Sequence, residues 1–158
     1  MDVEYWAAWV PFGDGDLELS AALAAEWVER ECDEQEAGGL LVIPRASVDG
    51  LVGTIQTFAA RHGFTSARGG RARRSGGDGP VLAYLPDLRD LEFAGSRAHR
   101  ASLCAVEHPI FRLAGWAAAR HAVNLTTSEA TVPLDDEVAV LLNDLVFAGN
   151  NGWFDIPR

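Results

Sequence analysis

The sequence predicts an α/β fold, with a mostly parallel five-stranded sheet and helices on both faces in a single three-layer domain. Strand-like and helix-like segments alternate five times along the 158 residues, and such alternation is typical of parallel sheets. The strand-like segments include short, continuous apolar runs, which suit strands buried on both faces. The helix-like segments begin and end at ordinary capping residues. No second-domain boundary is apparent, so residues 1–158 are expected to form one domain.

The first predicted pair is a strand over Val3–Phe12 and a helix over Leu17–Glu36. The strand is rich in aromatic and β-branched residues, and Asp16 can cap the helix. Trp6 and Trp9 are expected on opposite faces of the strand, because their positions differ by an odd number. Either both faces of this strand are covered, or one tryptophan is exposed for a partner.

The second predicted pair is a strand over Gly39–Pro44 and a helix that Ser47 caps and Gly63 ends. The strand is a continuous apolar run. The helix has apolar residues at the i, i+3, i+4, i+7 spacing from Val48 onwards. A loop rich in arginine and glycine, residues 64–79, is expected to follow this helix.

Three more pairs complete the alternation. The predicted strands are Pro80–Pro86, Ser102–His108 and Ala122–Thr127. Aspartate is a favoured cap and proline is favoured in the first helical turn. On these signals the helices begin at Asp87, Pro109 and Pro133, and the last two end near His121 and Gly149. Residues 150–158 are a predicted C-terminal tail.

The acidic charge is concentrated at the start of the chain. The formal net charge is −10, and residues 1–36 contain 11 acidic residues and one arginine, Arg30. A field of this sign repels nucleic acid and attracts basic surfaces. We therefore expect a basic protein partner or a homo-oligomer, and we do not expect nucleic-acid binding.

All 13 basic residues are arginine. The lysines that Walker phosphate loops, Schiff-base enzymes and kinases require are absent, so these mechanisms are excluded in their usual form. No apolar run approaches the length of a membrane-spanning helix. No membrane association is expected.

The two cysteines, Cys32 and Cys104, are expected to be reduced thiols of a cytoplasmic protein, because two cysteines cannot form a disulfide framework. A single bridge between them is the alternative. Neither cysteine is expected to be a nucleophile. Acidic neighbours should raise the pKa of Cys32, and Cys104 lies in an apolar, strand-like segment where burial is expected.

Polar residues follow the predicted strands at the carboxyl edge of the sheet, where open α/β sheets bind ligands. Arg45 follows the second strand, Asp87 follows the third, and Glu107 and His108 end the fourth. These four are the candidate catalytic residues. Structural interpretations compete with this one: Asp87 can be a helix cap, and Arg45 can pair with Glu107, because a buried carboxylate needs a partner.

An acidic Mg²⁺ pocket is a further interpretation of the carboxyl edge, since carboxylates are ligands of this ion. It would use Asp14, Asp16, Asp87 and Glu107. Helix capping is the simpler explanation of Asp16 and Asp87, and the four histidines show no metal-ligand spacing. The sequence therefore predicts no metal site and no cofactor.

The segment Ala67–Gly79 reads "ARGGRARRSGGDG". Its arginines are candidates for anion binding, because guanidinium groups and glycine-rich backbone can bind phosphate; they are Arg68, Arg71, Arg73 and Arg74. The segment has no aromatic residue for base stacking, and we expect it at the amino edge, away from the usual site. We expect an exposed, poorly ordered loop, with contact to a small anion or a partner as the alternative.

Two functions are compatible with these patterns. The first is a non-enzymatic, acidic protein-binding domain, such as an accessory, regulatory or immunity-like protein of the bacterial cytoplasm. The second is an enzyme that binds a small ligand or phosphate at the carboxyl edge of the sheet. The first is preferred, because no catalytic constellation is evident and the acidic charge is concentrated in one strand and helix.

Overall fold

The computed structural model describes residues 5–13, 16–67 and 79–131. Within these residues the helices are α1 (Leu17–Gln35), α2 (Gly53–His62), α3 (Leu88–Arg97) and α4 (Ala114–Ala119). The strands are β1 (Trp6–Val10), β2 (Leu40–Val42), β3 (Phe64–Thr65), β4 (Val81–Tyr84), β5 (Ser102–Val106), β6 (Val123–Asn124) and β7 (Glu129–Ala130).

The strands form one sheet in the order β3-β2-β4-β5-β1-β6-β7. Every pair is parallel except β6 and β7. The predicted mostly parallel α/β fold is therefore confirmed, although the described residues form seven strands where five were predicted. The two additional strands, β3 and β7, are each two residues long, which is too short for a periodic pattern.

Helices cover both faces of the sheet, as predicted. On the first face, α1 and α2 pack on strand residues such as Val10, Leu41 and Cys104. On the second face, α3 and α4 pack on the alternate residues, including Trp9 and Ala105. The core is thus divided into two layers by the alternation of side chains along each strand.

The two tryptophans of β1 lie on opposite faces, as their spacing predicts. Trp9 is buried on the second face, and its indole N–H donates to Thr131 Oγ1 at 3.0 Å. Trp6 shares the side of β1 that faces α1 and is 65% exposed. One tryptophan of the pair is therefore buried and the other is exposed.

Two predicted helix starts are wrong. The second helix begins at Gly53, because the Ser47 hydroxyl accepts a hydrogen bond from the backbone N–H of Asp49 and stabilises a local turn. The fourth begins at Ala114, because residues 108–113 form a turn that His108 stabilises. The predicted caps Asp16 and Asp87 are confirmed.

The two ends of the predicted loop 64–79 lie at different edges of the sheet. Phe64–Thr65 form β3 and end at the carboxyl edge, whereas Gly79 lies at the amino edge before β4, so the expected loop at the amino edge is wrong at its start. Its four arginines lie outside the described residues. The predicted last helix, Pro133–Gly149, and the tail, 150–158, also lie outside them.

Candidate functional site

The carboxyl edge has the topology that often forms a ligand site. β1 lies between β5 and β6 although it comes first in the chain. After β1 the chain passes to α1 on the first face, and after β5 it passes to α4 on the second face. Ligands of open α/β sheets bind where neighbouring connections diverge in this way.

The Glu107 carboxylate fills this point of divergence. Its side chain is 2% exposed. Oε1 accepts a hydrogen bond from the backbone N–H of Phe12 at 2.9 Å, and Oε2 accepts one from that of Leu113 at 2.6 Å. Glu107 therefore joins the connection after β1 to the start of α4.

The predicted pairing of Arg45 with Glu107 is wrong. β4 lies between β2 and β5, so Arg45 follows a strand that is not adjacent to the strand of Glu107. The cation near Glu107 is Arg112, whose guanidinium nitrogen lies 3.6 Å from Oε1. The strand order determines which cation lies near Glu107, and strand order cannot be predicted from local sequence.

His108 organises the turn that follows Glu107. Its Nδ1 atom accepts a hydrogen bond from the backbone N–H of Ile110 at 2.9 Å. The Phe111 ring lies over the imidazole, with the ring centroids 4.9 Å apart. Ile110 and Phe111 are 74% and 40% exposed. The imidazole therefore holds a turn that presents two apolar side chains to solvent.

The other two candidates also bond within their own loops. Arg45 is exposed and donates to the backbone carbonyls of Ser47 and Asp49. Asp87 forms a capping box with Asp90: its carboxylate accepts from the Asp90 N–H at 2.8 Å, and the Asp90 carboxylate accepts from the Asp87 N–H at 3.1 Å. The topology brings the four candidates to one edge but does not bring them into contact as a group.

The two cysteines are buried free thiols, and no bridge joins them. Burial, followed by the charges of Glu29 and Asp33, raises the pKa of Cys32 to about 11, while Arg61 opposes this shift. Burial raises the pKa of Cys104. Both side chains are therefore protonated at neutral pH, which disfavours attack by either sulfur.

A buried histidine cluster was not predicted. His62 Nδ1 accepts a hydrogen bond from the backbone N–H of Gly39 at 3.0 Å. The ring proton is then on Nε2, which lies 2.8 Å from Glu29 Oε1, and Arg61 lies 3.2 Å from the same oxygen. The cluster ties α1, α2 and the start of β2 together.

A groove of about 410 Å³ lies between α3 and α4 on the second face. Tyr5 and Trp116 line it, and the indole N–H donates to the Tyr5 hydroxyl at 3.1 Å. Arg112 and Arg120 also line it, and the Arg120 guanidinium lies 4.8 Å from the centroid of the Tyr5 ring. Its volume and mixed lining are within the range of small-molecule sites.

A second surface lies at the amino edge, where α1 ends. The Gln35 amide donates to Ser102 Oγ at 2.7 Å, and Ser102 is the register partner of Trp6 across the β1–β5 ladder. The end of α1 and the exposed Trp6 indole therefore flank the same residue. The acidic side chains of this end are exposed; they are Asp33, Glu34 and Glu36. We call Trp6 and these three residues the amino-edge patch.

The carboxylates of the amino-edge patch form no ion pair with any other described residue. Glu36, the C-cap of α1, has a φ of 51°, a left-handed conformation that favours glycine. The last turn of α1 contains no basic residue. Negative charge at this end of a helix is unfavourable, because the helix dipole is negative there.

No group of three or more histidine, cysteine, aspartate or glutamate side chains among the described residues could hold a metal ion. In the same part of the chain, no helix combines the length and apolar character needed to cross a membrane. Comparisons of the chain with protein-family models, curated proteins and solved structures found no match.

Proposed function

We propose that this protein is a non-enzymatic protein-binding domain that binds a basic partner through the amino-edge patch. The observation that carries this proposal is an exposed tryptophan at the same edge of the sheet as three exposed carboxylates, none of which forms an ion pair with a described residue. An accessory or regulatory role in the cytoplasm is part of the proposal, since two free thiols suit a reducing compartment.

The acidic end of α1 is unfavourable for the fold by itself. Asp33, Glu34 and Glu36 lie where the helix dipole disfavours negative charge. A non-glycine residue in the left-handed conformation adds a further cost at Glu36. Features that weaken a fold locally and remain exposed are expected where function requires them.

Trp6 supplies the apolar contact that an interface needs. Tryptophan is enriched among the residues that dominate binding energy, and a guanidinium or ammonium group binds favourably over an indole ring. The neighbouring carboxylates would accelerate association with a basic surface and orient it. The partner that fits this chemistry presents arginine or lysine side chains over Trp6.

The carboxyl edge gives less support to the enzyme alternative. Glu107 and Asp87 accept hydrogen bonds from backbone N–H groups of the fold, and His108 does the same in its turn. The two thiols are protonated and buried. The polar atoms at this edge therefore have structural roles in their own loops.

The test is affinity purification from the native host, followed by binding measurements on each enriched protein over a range of salt concentrations. We expect a basic partner whose affinity falls as salt rises, and Trp6→Ala should abolish its binding. The triple variant Asp33→Asn, Glu34→Gln, Glu36→Gln should weaken binding without lowering the unfolding midpoint.

The matched control removes three exposed acidic charges elsewhere: Asp49→Asn, Glu92→Gln, Glu129→Gln. It changes the net charge equally, so it should retain binding if the patch itself is recognised. Equal loss of affinity in both triple variants would show a general charge effect and contradict the proposal. So would unchanged binding by Trp6→Ala.

The groove between α3 and α4 favours a second candidate function, the binding of a small anionic ligand. Two guanidinium groups and two aromatic rings line it. Inorganic phosphate and nucleotides can be screened by thermal shift. A clear stabilisation that Arg120→Ala removes would support this candidate, and no stabilisation by any of them would count against it.

A further inference from the structure

The carboxyl edge presents a projecting apolar element. Ile110 and Phe111 are among the most exposed large apolar side chains of the described residues. Their turn is fixed at one end by the His108 imidazole and at the other by the bond from Leu113 to Glu107. Because the turn is already ordered, burying its side chains in an interface costs little conformational entropy. We call Ile110 and Phe111 the knob.

The same edge also presents an apolar pocket of about 240 Å³ at the start of α1. Leu17, Leu19 and Leu23 supply its apolar wall, and Leu19 is 57% exposed. The pocket is large enough to take one Ile or Phe side chain. The pocket lies on the first face of the sheet. The knob lies in the connection between β5 and α4, and α4 packs on the second face.

Phe12 lies between the knob and the pocket. It lines the pocket, its backbone N–H donates to Glu107, and the Arg112 guanidinium lies 5.9 Å from its ring centroid. The charged residue next to the knob is a cation, and the one next to the pocket is an anion. Arg112 follows the knob and its side chain is 58% exposed, and the exposed Asp16 lines the pocket.

We infer that the carboxyl edge is a homodimer interface in which the knob of each copy enters the pocket of the other. A two-fold dimer requires one surface that is complementary to itself. A knob and a pocket on either side of Phe12, with a cation on one side and an anion on the other, meet that requirement. The inference is independent of the proposed function, which uses the opposite edge.

The first test is the molar mass of the chain over a range of concentrations, by sedimentation velocity and light scattering. We expect a concentration-dependent dimer. The double variant Ile110→Ser, Phe111→Ser should be monomeric, with an unchanged circular dichroism spectrum because both side chains are exposed. The matched control, Trp6→Ser, removes an exposed apolar side chain from the amino edge and should remain dimeric.

The second test distinguishes two kinds of dimer: one in which the knob of each copy enters the pocket of the other, and one in which the two knobs contact each other. Ile110→Cys and Leu19→Cys are purified separately, mixed and oxidised; the native cysteines are buried and do not interfere. The mixture should form a cross-linked dimer that neither variant forms alone. Cross-linking of Ile110→Cys with itself would overturn the inference.

Three further results would overturn it. A chain that is monomeric at every concentration would show that the knob and the pocket do not join two copies. Dimers that persist in the double variant would place the interface elsewhere. Dissociation of the Trp6→Ser control would place it at the amino edge.

Discussion

The Glu107 carboxylate lies 2.6 Å from the backbone nitrogen of Leu113, at the start of the last described helix. Its other oxygen accepts from Phe12. We predict that Glu107→Ala lowers the free energy of unfolding by about 3 kcal/mol, because two backbone donors lose a charged acceptor in a buried setting. Urea unfolding monitored by circular dichroism measures this loss.

Glu92→Ala is the control for Glu107. Glu92 is an exposed glutamate of α3, and its loss should change stability by less than about 0.5 kcal/mol. If Glu107→Ala were as stable as this control, the structural role of Glu107 would be wrong and the enzyme alternative would gain support.

Replacement by alanine should lower the stability of the fold at Gly79 but not at Gly38. A Cβ atom on Gly79 would clash with the backbone oxygen of Gly38, whereas a Cβ on Gly38 meets no atom within 4 Å. Gly79→Ala should therefore cost about 3 kcal/mol, because backbone must move to remove the clash. Gly38→Ala should leave stability unchanged or raise it by up to about 1 kcal/mol. Thermal melts of both variants test the pair, and equal melting temperatures would contradict it.

His62 should contribute more to stability than its neighbour Arg61. His62→Ala leaves the buried N–H of Gly39 without its acceptor and should cost about 2 kcal/mol. Arg61→Ala should cost less than about 1 kcal/mol, because its side chain is 64% exposed. His62→Asn, whose amide oxygen can replace Nδ1 as the acceptor, should recover part of the loss. Chemical denaturation of the three variants tests this order.

Alkaline pH should destabilise the fold through Cys32. Its pKa rises from 9.0 in the reference state to about 11 in the folded protein, so the unfolded chain releases its thiol proton first. The stabilisation is complete below pH 9 and is lost as pH rises toward 11. Over this range Cys32→Ala should lose about 2 kcal/mol less stability than the wild type.

Unfolding free energies at pH 8, 9, 10 and 11 test the Cys32 prediction. The pKa values of Cys104 and Tyr84 are also raised by burial. These two groups therefore lower the unfolding free energy at high pH equally in the wild type and in Cys32→Ala. The difference between the two curves therefore isolates Cys32. Parallel curves would contradict the assignment.

Local signals in the sequence were sufficient for most of the fold. The apolar runs became β2, β4 and β5, and Asp16 and Asp87 cap the helices that they precede. These features depend on neighbouring residues alone. Ser47 is an exception. A serine before an apolar periodic segment is a favoured helix N-cap, yet the Ser47 hydroxyl accepts a hydrogen bond within a turn before the helix.

The arrangement of the carboxyl edge depends on strand order, which no local pattern encodes. Glu107 meets Phe12 because β1 and β5 are adjacent, and it misses Arg45 because β4 intervenes. Glu29 and His62, 33 positions apart, meet only after α1 and α2 have packed. The amino-edge patch is a similar case, since Trp6 reaches the end of α1 through Ser102.

The interior position of the first strand in the sheet has a consequence for the kinetics of folding. Phe12 and Glu107 are separated by 95 residues, and Trp9 and Thr131 by 122. β1 therefore has no partner strand until most of the chain has left the ribosome, and α1, which packs most on β5 and next on α2, lacks its main strand contact until then. Chains whose contacts are this distant in sequence fold slowly, because loop closure precedes the gain from pairing. During synthesis, β1 would remain an unpaired strand with two tryptophans, and a chaperone that shields it would increase the yield of folded protein.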